Sequence, residues 1–558
     1  MRLLLAAGLL TFAACSTSES APPPVVSDDA SVNDAAETSG SDAAETSADA
    51  GPRSDATPRP DATPACLTPA CAVEREDAVA AKMEALRGTP GALLAFLRAF
   101  PKGGDLHNHL SGAIYAESWI EWGREDGLCV SSMTNAIVAR GSCGNAGIEP
   151  LPTEDDDSGI DVLLRAWSMK DFVSTGVGSG HDHFFATFGK FGIAAGQNNG
   201  KMIAEARTRA ADDRARYLEL MNPFVNSAGT LADRLWMGAG NPTVADLAAL
   251  HMAIVRDPSF AGIIRNGKTS TDGEETEAAF LLGCNTPAPQ AGCAVTVRYL
   301  PTATRTRPAA YIFGQMIGAF ELGKIDPRIV GMNLVSPEDD SVSFRDYAIQ
   351  MEMIGYLRDT YEGQSPVKIA LHAGELSSQT LPASRQNELT YHIRSALDVA
   401  KAHRIGHGVD VLHETDPDTL IADLAAADVL IEIGLSSNAQ ILEVEGNDHP
   451  LARYLAAGVP VALATDDQGV SRSSLTGEHV RAVTAQGVDY RALKKMARAS
   501  LHYAFVEGQS LTNAVACASS RPGGTPEPAC QTFLDANLKA RLQWSLESDW
   551  VGFEESQR

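Results

Sequence analysis

Between residues 100 and 470 the chain repeats one pattern: a short, apolar, β-branched run followed by an Ala- and Leu-rich stretch of helical character. Runs at 104–110, 217–221, 294–300, 329–334, 367–372, 404–408, 429–433 and 459–464 predict eight strands. Strands that alternate with helices return parallel to one another. Eight such units predict an α/β fold, a (β/α)8 TIM barrel. The polar residues support closure. Every chemically loaded side chain lies at or just after the C-terminal end of its run, where a barrel gathers one site from many loops. An open doubly wound sheet concentrates its ligand at a single switch point instead.

The 558 residues exceed what a barrel needs. Residues 1–15 have the proportions of a signal peptide, with Arg2, an apolar stretch from Leu3 to Leu10 and small residues before Cys15. That ending resembles a bacterial lipoprotein signal, which predicts a lipid on Cys15 and a membrane-anchored, extracytoplasmic protein; plain secretion is the alternative. Residues 16–65 are Ala, Ser, Thr, Asp, Glu and Pro without apolar periodicity and predict a disordered acidic tether. The remaining divisions are a helical extension at 66–100, the barrel at 101–510 with an insertion at about 124–200, and a C-terminal disulfide loop and helix at 511–558. A polar, Gly-rich stretch at 267–292 reads as a surface loop, and so does the segment around His181-Asp182-His183.

Setting Cys15 aside leaves eight of the nine cysteines, the even number expected of an oxidised, exported chain. Spacing favours Cys66 with Cys71, Cys129 with Cys143, Cys284 with Cys293 and Cys517 with Cys530, although spacing alone does not fix connectivity. The net charge of −26 disfavours a nucleic-acid polymer as partner. Membrane contact is expected only through the N-terminal anchor, and a homodimer is compatible with the sequence.

His107 and His109 are two residues apart on the first strand, so both imidazoles face the same side. A third histidine arrives in Leu371-His372-Ala373-Gly374-Glu375, a fourth in Gly406-His407-Gly408, and paired carboxylates follow the last strand in Thr465-Asp466-Asp467. Three neutral imidazoles and one carboxylate suit zinc, with one position left for water, as in catalytic sites.

These segments, with Pro101 to Ala113, Ser436-Ser437-Asn438 and His449-Pro450, resemble the adenosine deaminase family of the amidohydrolase superfamily. The export signal and the long insertion are similar to its secreted growth-factor-like branch. The resemblance implies one Zn2+ per chain held by His107, His109, His372 and Asp466. It implies that Glu375 protonates purine N1, that His407 orients and deprotonates the attacking water, and that Asp467 hydrogen-bonds the substrate or the hydroxide. Ser111, Gly112, Ser336 and Asp467 would contact substrate. Ser111 replaces the family's ribose-binding carboxylate, Ser336 its N3-contacting glycine, and Gln468 its proline. The expected substrate is a small purine nucleoside, adenosine or 2′-deoxyadenosine. Adenine, a modified nucleoside, or a non-catalytic binding role are the alternatives. Phosphorylated substrates would need lid bases such as Arg140, Arg165 or Lys170 to turn inward.

Overall fold

The computed structural model describes residues 67–558; the signal peptide with Cys15, the tether and Cys66 lie outside them. The eight runs are strands: β1 Gly103–His109, β2 Ala215–Asn222, β3 Thr296–Thr304, β4 Gly331–Val335, β5 Lys368–Ala373, β6 Arg404–His407, β7 Leu430–Ile433 and β8 Val461–Leu463. They pair in chain order, each parallel to the next. A parallel bridge between Asn108 and Asp466 closes the ring. There the His109 N–H donates to the Asp466 carbonyl at 3.0 Å, and the Asp466 N–H donates to the His107 carbonyl at 2.9 Å. The fold is a (β/α)8 barrel. Its strands are covered on both faces, which is why they read as continuous apolar runs rather than alternating ones.

Helices Ala309–Gly323 and Ser341–Tyr361 follow β3 and β4, and Leu435–Leu442 and Leu475–Thr484 follow β7 and β8. At the N-terminal end of the barrel, helices Pro69–Leu86 and Pro90–Ala99 meet the C-terminal helix Leu538–Gln557. Phe96 and Phe100 stack edge-on against Phe553, and the Trp550 indole N–H donates to the Pro101 carbonyl at 3.1 Å.

After β1 the chain leaves the barrel in helix Ala116–Glu125. It then forms a small antiparallel sheet of Cys129–Ser131, Ile137–Val138 and Ile148–Pro150, and helices Asp157–Trp167 and Ser179–Ala195. Trp119 stacked on Phe191 at 5.3 Å ties these pieces together. Disulfides join Cys129 to Cys143, Cys284 to Cys293 and Cys517 to Cys530. The fourth couple includes Cys66 and so falls outside the described residues.

Two expectations are corrected. The stretch 267–292 is not a loop over most of its length, because helix Phe260–Leu281 runs through it. Phe260, Ile264, Gly267, Thr271 and Ala278 are buried at helical spacing, and this packing outweighs the poor helix propensity of the glycines. Likewise, His181 and His183 lie in the first turns of helix Ser179–Ala195 rather than in a loop.

Candidate active site

The C-terminal ends of β1, β5 and β8 converge on one point. His107 Nε2 lies 3.0 Å and His109 Nε2 3.1 Å from His372 Nε2. Asp466 Oδ1 lies 3.4 Å from the first of these nitrogens and 3.2 Å from the second. The far side of each ring shows what those nitrogens carry. His107 Nδ1 donates to Glu432 Oε2 at 2.8 Å, and His372 Nδ1 donates to Asn333 Oδ1 at 2.9 Å. Both Nε2 atoms therefore turn lone pairs toward each other and toward a carboxylate. That donor set fits a cation such as zinc.

Glu432 belongs to a buried chain that sequence reading missed. Its other oxygen lies 2.5 Å from Arg404 Nε, and Arg404 also pairs with Glu219, which accepts from the Tyr217 hydroxyl at 2.7 Å. The signal was present in the sequence: Glu219 and Glu432 are acids inside apolar runs, and Arg404 opens another. An uncompensated charge there is costly, so such residues must find one another.

Glu375 sits on the turn after β5, buried, and its carboxyl lies 3.7 Å from His407 Nε2. Burial first, then the charges of Asp466 and Glu338, push its pKa well above the carboxylate range. The turn is held from below. Glu338 accepts from the backbone N–H of Gly374 at 3.2 Å and of Glu375 at 3.0 Å, and from His392 Nδ1 at 2.5 Å. Arg305, 3.6 Å from Glu338, donates to the His372 carbonyl at 2.8 Å. On the opposite wall His407 Nδ1 meets Asn438 Nδ2 at 2.9 Å, and His449 Nε2 lies 3.0 Å from Asn438 Oδ1. Asp467, whose pKa burial and Asp466 raise, fills the space left by the missing side chain of Gly112. A Cβ on Gly112 would stand 1.6 Å from its Oδ1. Ser336 follows β4 with φ of +86°, backbone that favours the glycine it replaces.

Residues 273–515 match the family model described as adenosine deaminase. Over that stretch the chain is similar to the adenosine deaminase family. The matched stretch supplies His372, Glu375, His407 and Asp466, and β1 adds His107 and His109 from outside it. An adenine deaminase of Sinorhizobium medicae is 31% identical over 182 residues, covering 32% of this chain and 49% of that protein. The adenosine deaminase of Plasmodium gallinaceum is 30% identical over 166 residues, covering 30% and 41%. The chain thus spans about half the length of the curated relatives it matches. An adenine deaminase crystal structure from Arthrobacter aurescens overlays with a TM-score of 0.45 at 18% identity, covering 81% of this chain and 99% of that one.

The insertion lies across the mouth of the barrel. The Met169 N–H donates to the Val470 carbonyl at 2.7 Å, and the Gly178 N–H donates to Glu443 at 2.9 Å. Gly180 packs so closely that a Cβ would stand 2.1 Å from the Gln440 carbonyl. His181 Nε2 bonds Asp339 Oδ1, beyond β4, at 3.1 Å. Burial disfavours charge on His181, but Asp339 outweighs it and lifts the pKa to about 9. Arg165 and Lys170 do not turn inward: both pair with Asp161 and Asp171 on the insertion's surface.

Proposed function

We propose that the protein is a zinc-dependent aminohydrolase that converts adenosine or 2′-deoxyadenosine and water to the inosine product and ammonia. The observation that carries this reading is the meeting of His107, His109, His372 and Asp466 beside a buried Glu375 held protonated. Zinc, when bound, supplies a Lewis acid that makes water a nucleophile near neutral pH. The four ligands hold it. Glu375 delivers its proton to purine N1, which draws electrons from C6 and prepares that carbon for attack. His407 and Asp467 border the same face and bind the incoming oxygen. Expulsion of the amine as ammonia completes the reaction.

A second reading, free adenine as substrate, is favoured by the adenine deaminase names among the relatives. It also suits Ser111, a weaker partner for a sugar than a carboxylate would be. Ammonia release from adenosine, 2′-deoxyadenosine, adenine and AMP, measured beside the metal content, decides between them. Adenosine should lead. Adenine ahead by tenfold or more installs the second reading, and turnover of none by zinc-loaded protein ends both.

We place this activity outside the cytoplasm on a lipid anchor at Cys15. The disulfides among the described residues support an oxidising compartment.

A further inference from the structure

His407 touches the proposed reaction space through Nε2, a buried atom with no hydrogen-bond partner among the described residues. What that nitrogen carries depends on the other side of the ring. There a line of contacts ends at a donor whose direction is not in doubt: the backbone N–H of Leu451, which donates to His449 Nδ1 at 3.2 Å. A ring nitrogen that accepts is bare, so neutral His449 carries its proton on Nε2 and donates to Asn438 Oδ1. With its oxygen so engaged, Asn438 turns its amide N–H onto His407 Nδ1, making that nitrogen an acceptor too. The opposite orientation of Asn438 would leave His449 accepting at both nitrogens, which a neutral imidazole cannot do.

We propose that Asn438 and His449 are positioning residues that hold His407 with its proton on Nε2, so that it meets the attacked face as a hydrogen-bond donor. This rests on the deaminase reading and replaces the proton-accepting role expected of His407 from family resemblance. A donor placed there strengthens as negative charge builds on the oxygen added at C6. Burial keeps His449 neutral, lowering its pKa to about 4, as the line of bonds requires. The same bare Nδ1 and protonated Nε2 separate His407 from His107 and His372, whose Nε2 atoms are the bare ones.

The test uses full-length, zinc-loaded protein labelled with 15N-histidine, the His407 ring signals being assigned by their loss in His407→Gln. The expected spectrum shows a protonated Nε2 and a bare Nδ1. Asn438→Asp, which can only accept, should move the proton to Nδ1, lower kcat about 10²–10³-fold as loss of one donor to a developing oxyanion does, and leave KM and zinc content near the parent values. His449→Gln keeps a donor near the old Nε2 and should restore the parent ring pattern, whereas His449→Leu should not. A parent His407 protonated on Nδ1, or an Asn438→Asp variant with parent-like spectrum or kcat, overturns the relay while the deaminase reading stands. A zinc-loaded parent that turns over no 6-aminopurine ends that reading, and the positioning role with it, whatever the spectrum shows.

Discussion

Glu432 serves two partners of different kinds, aiming the His107 ring with one oxygen while its other faces Arg404. Glu432→Gln keeps the shape but replaces one acceptor with a donor. Loss of such an outer partner typically costs about 10–100-fold in metal affinity. A competition titration against a chromophoric chelator should show weakening of that order, and unchanged affinity would remove Glu432 from the site. Glu375→Gln should behave oppositely, keeping its metal and losing about 10²–10⁴ in turnover, because an amide has no proton to give. A Gln variant within about threefold of the parent would refute the acid role. The cluster of His107, His109, His372 and Asp466 was legible in the sequence because a His or Asp at a strand end announces itself. Asn333 and Glu338 were not, since an ordinary polar residue after a strand gives no sign of which buried N–H it will meet.

At the scale of elements, the insertion is a lid fastened mainly by backbone contacts and one titratable pair. The pKa of His181 lies above its unfolded value of 6.5, at about 9. The bond to Asp339 therefore contributes fully below pH ~6.5 and is lost as pH rises through ~9. Asp182 also favours its charge, so the direction does not rest on Asp339 alone. Hydrogen exchange across residues 171–185, corrected for intrinsic rate, should lose protection between pH 7 and 9. In Asp339→Asn that pH dependence should shrink, and an unaltered profile would show that the pair does not fasten the lid. The helical nature of this segment was hidden in the sequence. Its Gly-rich start looks like a loop, and only docking against Gln440 gives those glycines a purpose.

For the whole molecule, strand number and order were readable because a buried parallel strand has one appearance, a short apolar run. The placement of the termini was not, since Phe96, Phe100 and Phe553 reveal their shared cluster only once the barrel exists. The barrel's seam is thin, the Asn108–Asp466 backbone bridge with the side-chain bonds of Thr465 to Asp105 and Asn108, and the proposed metal ligands lie on both sides of it. Chelation should therefore destabilise the fold, by about 2.7 kcal/mol relative to free metal at 100 times its Kd. Amides of 107–110 and 465–470 should lose exchange protection first, with those of β3 to β5 unaffected. Uniform loss, or none, would argue against a stapled seam. At the seam Asn108 donates to Thr465, 357 residues further on, a contact made only after the intervening chain is in place. His107, His109 and Asp466 thus come within reach of one ion only in a finished molecule, so the zinc content of a preparation is a census of the chains whose rings have closed.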